Sequence, residues 1–442
     1  MRRTVIIPYT FTRVLVKAAG EVQLKMTKTR VKLEFDGHPI TLNVDSASPY
    51  TTVVSGDWYE HLYGKGSCKY VVSGCYFCPA SDPCNLETLS KGKLEKIGFV
   101  DGHVVGISIR EVTLKIGRAL VHDFKVGLII NSTRVQNNKQ PFGLLGLSAN
   151  SKLDIKPTLV HQLVYAGVVT RKAFAFRVVK YYQGITGALV VGGGSPPNEA
   201  ESKTITLPLW VEPEGTLAVN VTSAEFVTQT AKESIKIEFG TERKYPVAVL
   251  DTGSGVTVLN KELFVLMVRA TESEFGVDNV DFTTRPSKKD FKKYFASLSW
   301  TQIKVLRDAA GIIWIRKELV ARLPMMRLQL NHESHIYVIR LHLRNHVGVC
   351  VEVWCSLMVV DGPSVGILPH QLILLGKHFF LEYDTHFDLD RRLVSFSVPQ
   401  RPVKVKYQSL LDFESHNHPA CREIVERETG ISWLVRKCFG AS

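Results

Sequence analysis

ITLNVDSAS (residues 40–48) and AVLDTGS (residues 248–254) share one pattern: an apolar run, then Asp, a small hydroxyl residue, Ala or Gly, and Ser. Each has a distant companion. GLLGLS (143–148) follows the first and LILLGKHF (372–379) the second, both built on Leu-Leu-Gly. A pattern repeated in the same order marks a duplicated structural unit. The expected unit is a β lobe that delivers one Asp at the end of a hydrophobic strand, with a second apolar strand beside it whose glycine permits close backbone approach. Two such lobes would place Asp45 and Asp251 at one cleft.

Outward from these stretches, VKLEFDG, GISIREVTLKIG and RLHLRNHVGVCVEVW alternate apolar and polar residues with period two, the signature of half-buried strands. Helical patterns are few: 157–167, part of 261–275, and 290–310. The expected class is all-β, mainly β with a few short helices. GALVVGGGSPPNEAES (187–202) ends a strand in Gly and Pro, which divides the chain near residue 195. The expected parts are an N-terminal lobe (1–195), a C-terminal lobe (196–400) and a tail (401–442).

A chain of 442 residues can bury two cores. The net charge of +13 comes from Lys and Arg spread along the sequence, and the densest run, RPSKKDFKK (285–293), lacks any nucleic-acid-binding context, so no nucleic-acid partner is expected. No apolar run reaches the roughly 18 residues of a membrane span. Eight cysteines fall at 68, 75, 78 and 84, at 350 and 355, and at 421 and 438. Cys75-x-x-Cys78 has the spacing of half a zinc site, but the second half is missing and disulfides are the expected use. Two sequons, at Asn131 and Asn220, agree with disulfides in pointing to the secretory route. The N-terminal stretch, cut by Pro8 and Arg13, does not read as a signal peptide.

With the paired Asp motifs, the run QPFGLLGLSANSKLDIKPTLVHQLVYAGVVTRKAFAFRV (140–178), GALVVGGG and LLGKHFFLEYDTHFDLDRRLVSFS (374–397), the sequence resembles the pepsin-like aspartic proteases over about residues 30–400. The resemblance implies a bilobal fold and an aspartic endopeptidase that is a monomer, extracellular or vacuolar/lysosomal, with an extended polypeptide as substrate. It implies no metal and no cofactor. Asp45 and Asp251 would be catalytic. Ser46 and Thr252 would lock the two Asp loops together, Gly253 would complete the second loop, and the hydroxyls of Ser48 and Ser254 would bond the outer carboxylate oxygens. EKIGFVDGHVVGISIREVTLKIG (95–117) carries an Asp-Gly hairpin signal at Asp101 and Gly102 and resembles the family's flap, with Phe99 near its tip.

Three positions depart from the family pattern: Ala47 where Gly is usual, Phe99 where Tyr is usual, and Val100 where Gly is usual. They motivate the alternative, a catalytically inactive homologue that binds or inhibits a peptide or protein. A two-carboxylate glycosidase ranks last, since nothing in the paired motifs suggests one.

Overall fold

The computed structural model describes residues 20–409 apart from 93, 100–101, 137–139, 150–157, 182–183, 194–203, 212–214, 240–245, 283–301, 309–310, 333–334, 352, 363–371, 400–403 and 406–407. Strands dominate it, and short helices fill the connections. The architecture is the expected all-β, pepsin-like one. The boundary expected near residue 195 lies next to residues outside those described.

The duplication seen in sequence is a duplication of strand pairing. In the first half, strand His38–Asp45 runs parallel to Leu144–Gly146, with Asp45 facing Gly146. Strand Thr52–Val54 runs parallel to Ala119–Ser132 and meets Leu144 antiparallel. The second half repeats this: Val247–Leu250 lies parallel to Leu372–Leu375, and Thr257–Leu259 lies parallel to Val359–Asp361 and meets Leu374 antiparallel. Parallel neighbours need long crossovers, which is why each Leu-Leu-Gly run stands so far along the chain from its Asp. A capped helix follows in each half: Gly56–Tyr63 behind Ser55 and Lys261–Phe275 behind Asn260, each cap side chain accepting a first-turn amide.

One further sheet takes strands from both halves, in the order Val22–Met26, Ile185–Val191, Ala173–Tyr181, Asp384–Asp388, Leu393–Ser397, Thr204–Pro208. Phe174 stacks on Phe387 at 4.6 Å across this seam, and Phe176 meets Phe380 edge-on at 5.2 Å. All four rings are fully buried. Each such ring removes roughly 150–250 Å² from water, so this seam gives the halves a shared apolar layer.

Two of the three helical expectations are met by helices Leu159–Tyr165 and Lys261–Phe275. The third is corrected in its described part: Val305–Arg307 is a strand, paired with Ile313–Arg316. Val305 and Leu306 are both fully buried there, and Trp314 Nε1 donates to Asp308 Oδ2 at 3.1 Å. Tertiary pairing of β-branched residues outweighs a helical pattern of modest propensity. The basic run 285–293 and the tail cysteines lie outside the described residues.

The cysteines pair as neighbours, Cys68–Cys75, Cys78–Cys84 and Cys350–Cys355. The sulfurs of Cys75-x-x-Cys78 therefore belong to two different disulfides. Asp57, Cys78 and Cys84 form the one cluster of metal-ligating residue types among the described residues, and both of its thiols are in that bond. No helix among the described residues is long and apolar enough to cross a membrane.

Candidate active site

Asp45 closes its strand and Asp251 directly follows strand Val247–Leu250, so parallel pairing carries both carboxyls to the mouths of their sheets. Within each loop the carboxylate accepts two backbone amides. Asp45 Oδ1 takes Ala47 N at 2.9 Å and Ser48 N at 3.1 Å. Asp251 Oδ1 takes Gly253 N at 2.7 Å and Ser254 N at 3.2 Å. The turn after each Asp thus aims its own amides back at the acid, which fixes the carboxyl orientation before any ligand arrives.

The two loops also hold each other. Ser46 Oγ donates to Leu250 O at 2.7 Å and accepts Thr252 N at 2.9 Å, while Thr252 Oγ1 donates to Val44 O at 3.0 Å and accepts Ser46 N at 3.1 Å. Both residues are fully buried. Replacing Ser46 by Ala would leave the Leu250 carbonyl and the Thr252 amide buried without these partners. We expect Ser46→Ala to lower stability by about 2–6 kcal/mol in urea unfolding, from roughly 1–3 kcal/mol for each of the two orphaned groups. A loss below about 0.5 kcal/mol would show that the cross-links are not formed.

The serines further along behave differently from expectation. Ser254 Oγ donates to Val256 O at 2.8 Å, and Ser48 Oγ is buried with no hydrogen-bond partner. Their backbone amides serve the carboxylates at Oδ1 and neither hydroxyl bonds an acid, so the expected hydroxyl-to-carboxylate bonds are corrected.

The two acids are each only 8% exposed. Burial, and then the charge on Asp45, push Asp251 up to about 8. Burial raises Asp45 too, partly offset by the amides of Ala47 and Ser48, the nearby Lys377 and a hydrogen bond with Asp251. Two carboxyls this close do not ionise together at neutral pH; they titrate as a pair that holds one proton. An acid and a base are thus available side by side.

The family profile of eukaryotic aspartyl proteases matches residues 30–398, which span both Asp loops and both Leu-Leu-Gly strands. The chain belongs to the eukaryotic aspartyl protease family. Among solved structures it is similar to basic 7S globulin from soybean, with a TM-score of 0.54 at 16% identity, covering 85% of this chain and 94% of that one. No curated protein matches it.

The aspartyl protease fold here leaves little space between the loops. A Cβ built on Gly253 would lie 2.6 Å from Asp45 Cγ and 2.8 Å from each carboxylate oxygen. The corresponding position of the first loop, two residues past its Asp, is the half-buried Ala47. Gly253→Ala should displace the Asp45 carboxyl and abolish binding of a statine-type transition-state analogue, read by calorimetry. Retained affinity within about threefold, or about 0.7 kcal/mol, would mean that the loops can part.

The hairpin of Glu95–Gly98 and Val104–Ile116 stands where the flap was expected. Gly102 adopts φ +80° and donates to Phe99 O at 2.9 Å, and Phe99 N donates to His103 O at 2.8 Å. Asp101 and Val100 lie outside the described residues. Phe99 packs on the cluster that contains Tyr50, Val54, Ile107 and Ile129, and its ring faces Phe142 at 6.4 Å. Of the residues read as alternating in this hairpin, Ile109 is exposed, while Ile107 and Val112 on either side are buried.

Three features of the site's surroundings escaped the sequence reading. The Tyr50 hydroxyl donates to Glu95 Oε2, tying the loop beyond Asp45 to the base of the hairpin. Lys377 immediately follows the second Leu-Leu-Gly and is drawn electrostatically to both acids. Its available signal was a cation where the first half has Leu147. Next to it, His378 stacks on His346 at 5.2 Å, both fully buried.

Proposed function

We propose that the chain is an aspartic endopeptidase. The observation that supports it is the pairing of Asp45 with Asp251 as two buried, hydrogen-bond-framed acids, both raised by burial. The ionised member takes a proton from a water placed between them. The protonated member gives its proton to the scissile carbonyl as the tetrahedral intermediate forms, and no covalent enzyme intermediate is needed. An extended peptide lies beneath the hairpin as an added strand, with backbone hydrogen bonds for affinity and apolar side chains such as Phe99 for choice of residue. In this reading the protein passes through the secretory pathway to an extracellular or vacuolar/lysosomal site, carries sugars at the exposed Asn131 and Asn220, and works as a monomer.

A second reading is favoured by Ala47 and Phe99: the same cleft binds a peptide or protein without cutting it. Digestion of an unfolded protein between about pH 2 and about pH 7, with and without a statine-type inhibitor, separates the two. Inhibitor-sensitive cleavage is expected. Tight inhibitor binding with no cleavage at any pH would favour the binding protein.

A further inference from the structure

The two halves carry their Asp loops on the same scaffold and differ in what stands just beyond. A Cβ on Gly146 would lie 2.4 Å from Tyr50 O, and one on Gly376 would lie 2.2 Å from Val256 O. Tyr50 and Val256 are therefore equivalent, each five residues past its Asp and each pressed against its Leu-Leu-Gly strand. Val256 ends in two methyls. Tyr50 carries a hydroxyl, and that hydroxyl donates to Glu95 Oε2 at the start of the hairpin strand Glu95–Gly98.

We propose that Tyr50 is a positioning residue, a latch that couples the hairpin to the loop of Asp45 and so governs how long the cleft keeps its ligand. The inference rests on the reading of this hairpin as the cover of a peptide-binding cleft. Tyr50 is only 6% exposed and shares one apolar cluster with Val105 and Ile107 of the hairpin, onto which Ile97 and Phe99 also pack. Its hydroxyl adds the polar tie to Glu95, whose own side is exposed. Its backbone cannot follow the hairpin outward. Gly146, the strand partner of Asp45, lies against Tyr50 O, and the next carbonyl, Thr51 O, accepts Gly127 N at 2.8 Å.

The hairpin has use for such a tie. Glu95–Gly98 is the last strand of its sheet and is laddered on one side, to Val104–Ile116. A strand held by one ladder opens at low cost unless something else fastens it. Towards the tip, Thr133 Oγ1 accepts Val104 N at 2.9 Å and fastens the other arm. Phe99 brings an apolar ring without a hydroxyl, so at the first arm the polar fastening comes from Tyr50. A bond to a carboxylate is among the stronger hydrogen bonds, and with it closed the hairpin and the Asp45 loop hold together.

Hydrogen exchange over residues 95–99, read by mass spectrometry, tests the latch without any substrate. Tyr50→Phe keeps the ring and loses the hydroxyl, and Glu95→Ala loses the acceptor. Each should speed exchange there about tenfold or more, and the double variant should be no faster than either single one, because all three remove the same bond. Glu95→Gln keeps a carbonyl acceptor and should stay within about threefold of the wild type. A statine-type inhibitor should leave Tyr50→Phe about tenfold faster than the wild type in stopped flow, with its association rate unchanged. Additive effects in the double variant, unchanged exchange in Tyr50→Phe, or unchanged dissociation of a bound inhibitor would each overturn the proposal. Should Tyr50→Phe not fold, the exposed Glu95 decides in its place, and unchanged exchange in Glu95→Ala would equally overturn it. Matching single and double variants in a protein that binds no such inhibitor would leave the latch standing and remove only the protease reading.

Discussion

Asp251→Asn should eliminate peptide-bond cleavage, by about ten-thousand-fold or more, and at the same time make the protein more stable at neutral pH. The first effect follows from the pair: a carboxamide cannot hold or release the shared proton, so neither the base step nor the acid step is left. Its carbonyl oxygen would still accept the amides of Gly253 and Ser254, so the loop geometry survives. The second effect is a matter of linkage. The folded carboxyl, raised to about 8, keeps its proton between about pH 4 and about pH 8, while the unfolded chain releases it. Stability therefore falls as pH rises through that window, at about 1.4 kcal/mol per unit, and the substitution removes the loss. Cleavage assays and thermal melts at about pH 7 check both halves. Inhibitor-sensitive cleavage surviving in Asp251→Asn would sink the catalytic assignment, and a lower melting temperature would show that the carboxyl is ionised in the folded protein.

Acid should open this protein well above the pH at which a strongly acid-adapted protease works. His346 and His378 are fully buried and His386 is 5% exposed, and His346 Nε2, both ring nitrogens of His378 and His386 Nε2 have no hydrogen-bond partner. Burial lowers His346, drives His378 well below the ordinary range and sets His386 at about 4. Below about pH 6.5 the unfolded chain takes up protons at these sites that the folded chain refuses, so stability falls as pH falls. His386 alone costs about 2 kcal/mol by pH 5, at about 1.4 kcal/mol per unit, and His378 adds to it at the same slope while it stays neutral. The dyad works in the opposite sense with one proton, so two or more histidines outweigh it. Against a total of roughly 5–15 kcal/mol, this is decisive. Scanning calorimetry from about pH 7.5 to about pH 4.5 should show a steep drop in melting temperature below about pH 6, flattened in His378→Phe. A melting temperature that holds or rises down to about pH 4 would count against the neutral buried rings. Under the protease reading, cleavage is expected to run nearer neutrality.

Much of this is legible in the chain alone. Period-two alternation and the repeated Asp and Leu-Leu-Gly runs specify the class, the duplication and the identity of Asp45 and Asp251, because a buried strand must be apolar along its length and a close backbone approach must use glycine. The Ser46–Thr252 cross-link came from the family resemblance, and its hydrogen bonds are formed in the fold. Local pattern failed where distant partners decide the outcome. Val305–Arg307 looked helical and is a strand because Ile313–Arg316 offers it a ladder. The hydroxyls of Ser48 and Ser254 look free to bond the acids, but the turn brings their amides there instead. Four cysteines between 68 and 84 allow several pairings, and only their folded positions select Cys68–Cys75 and Cys78–Cys84. Lys377, His346 and His378 read as ordinary polar residues until the fold buries them. Their charge states depend on solvent and neighbours that meet only in three dimensions, and a sequence lists a residue's chemistry without its surroundings.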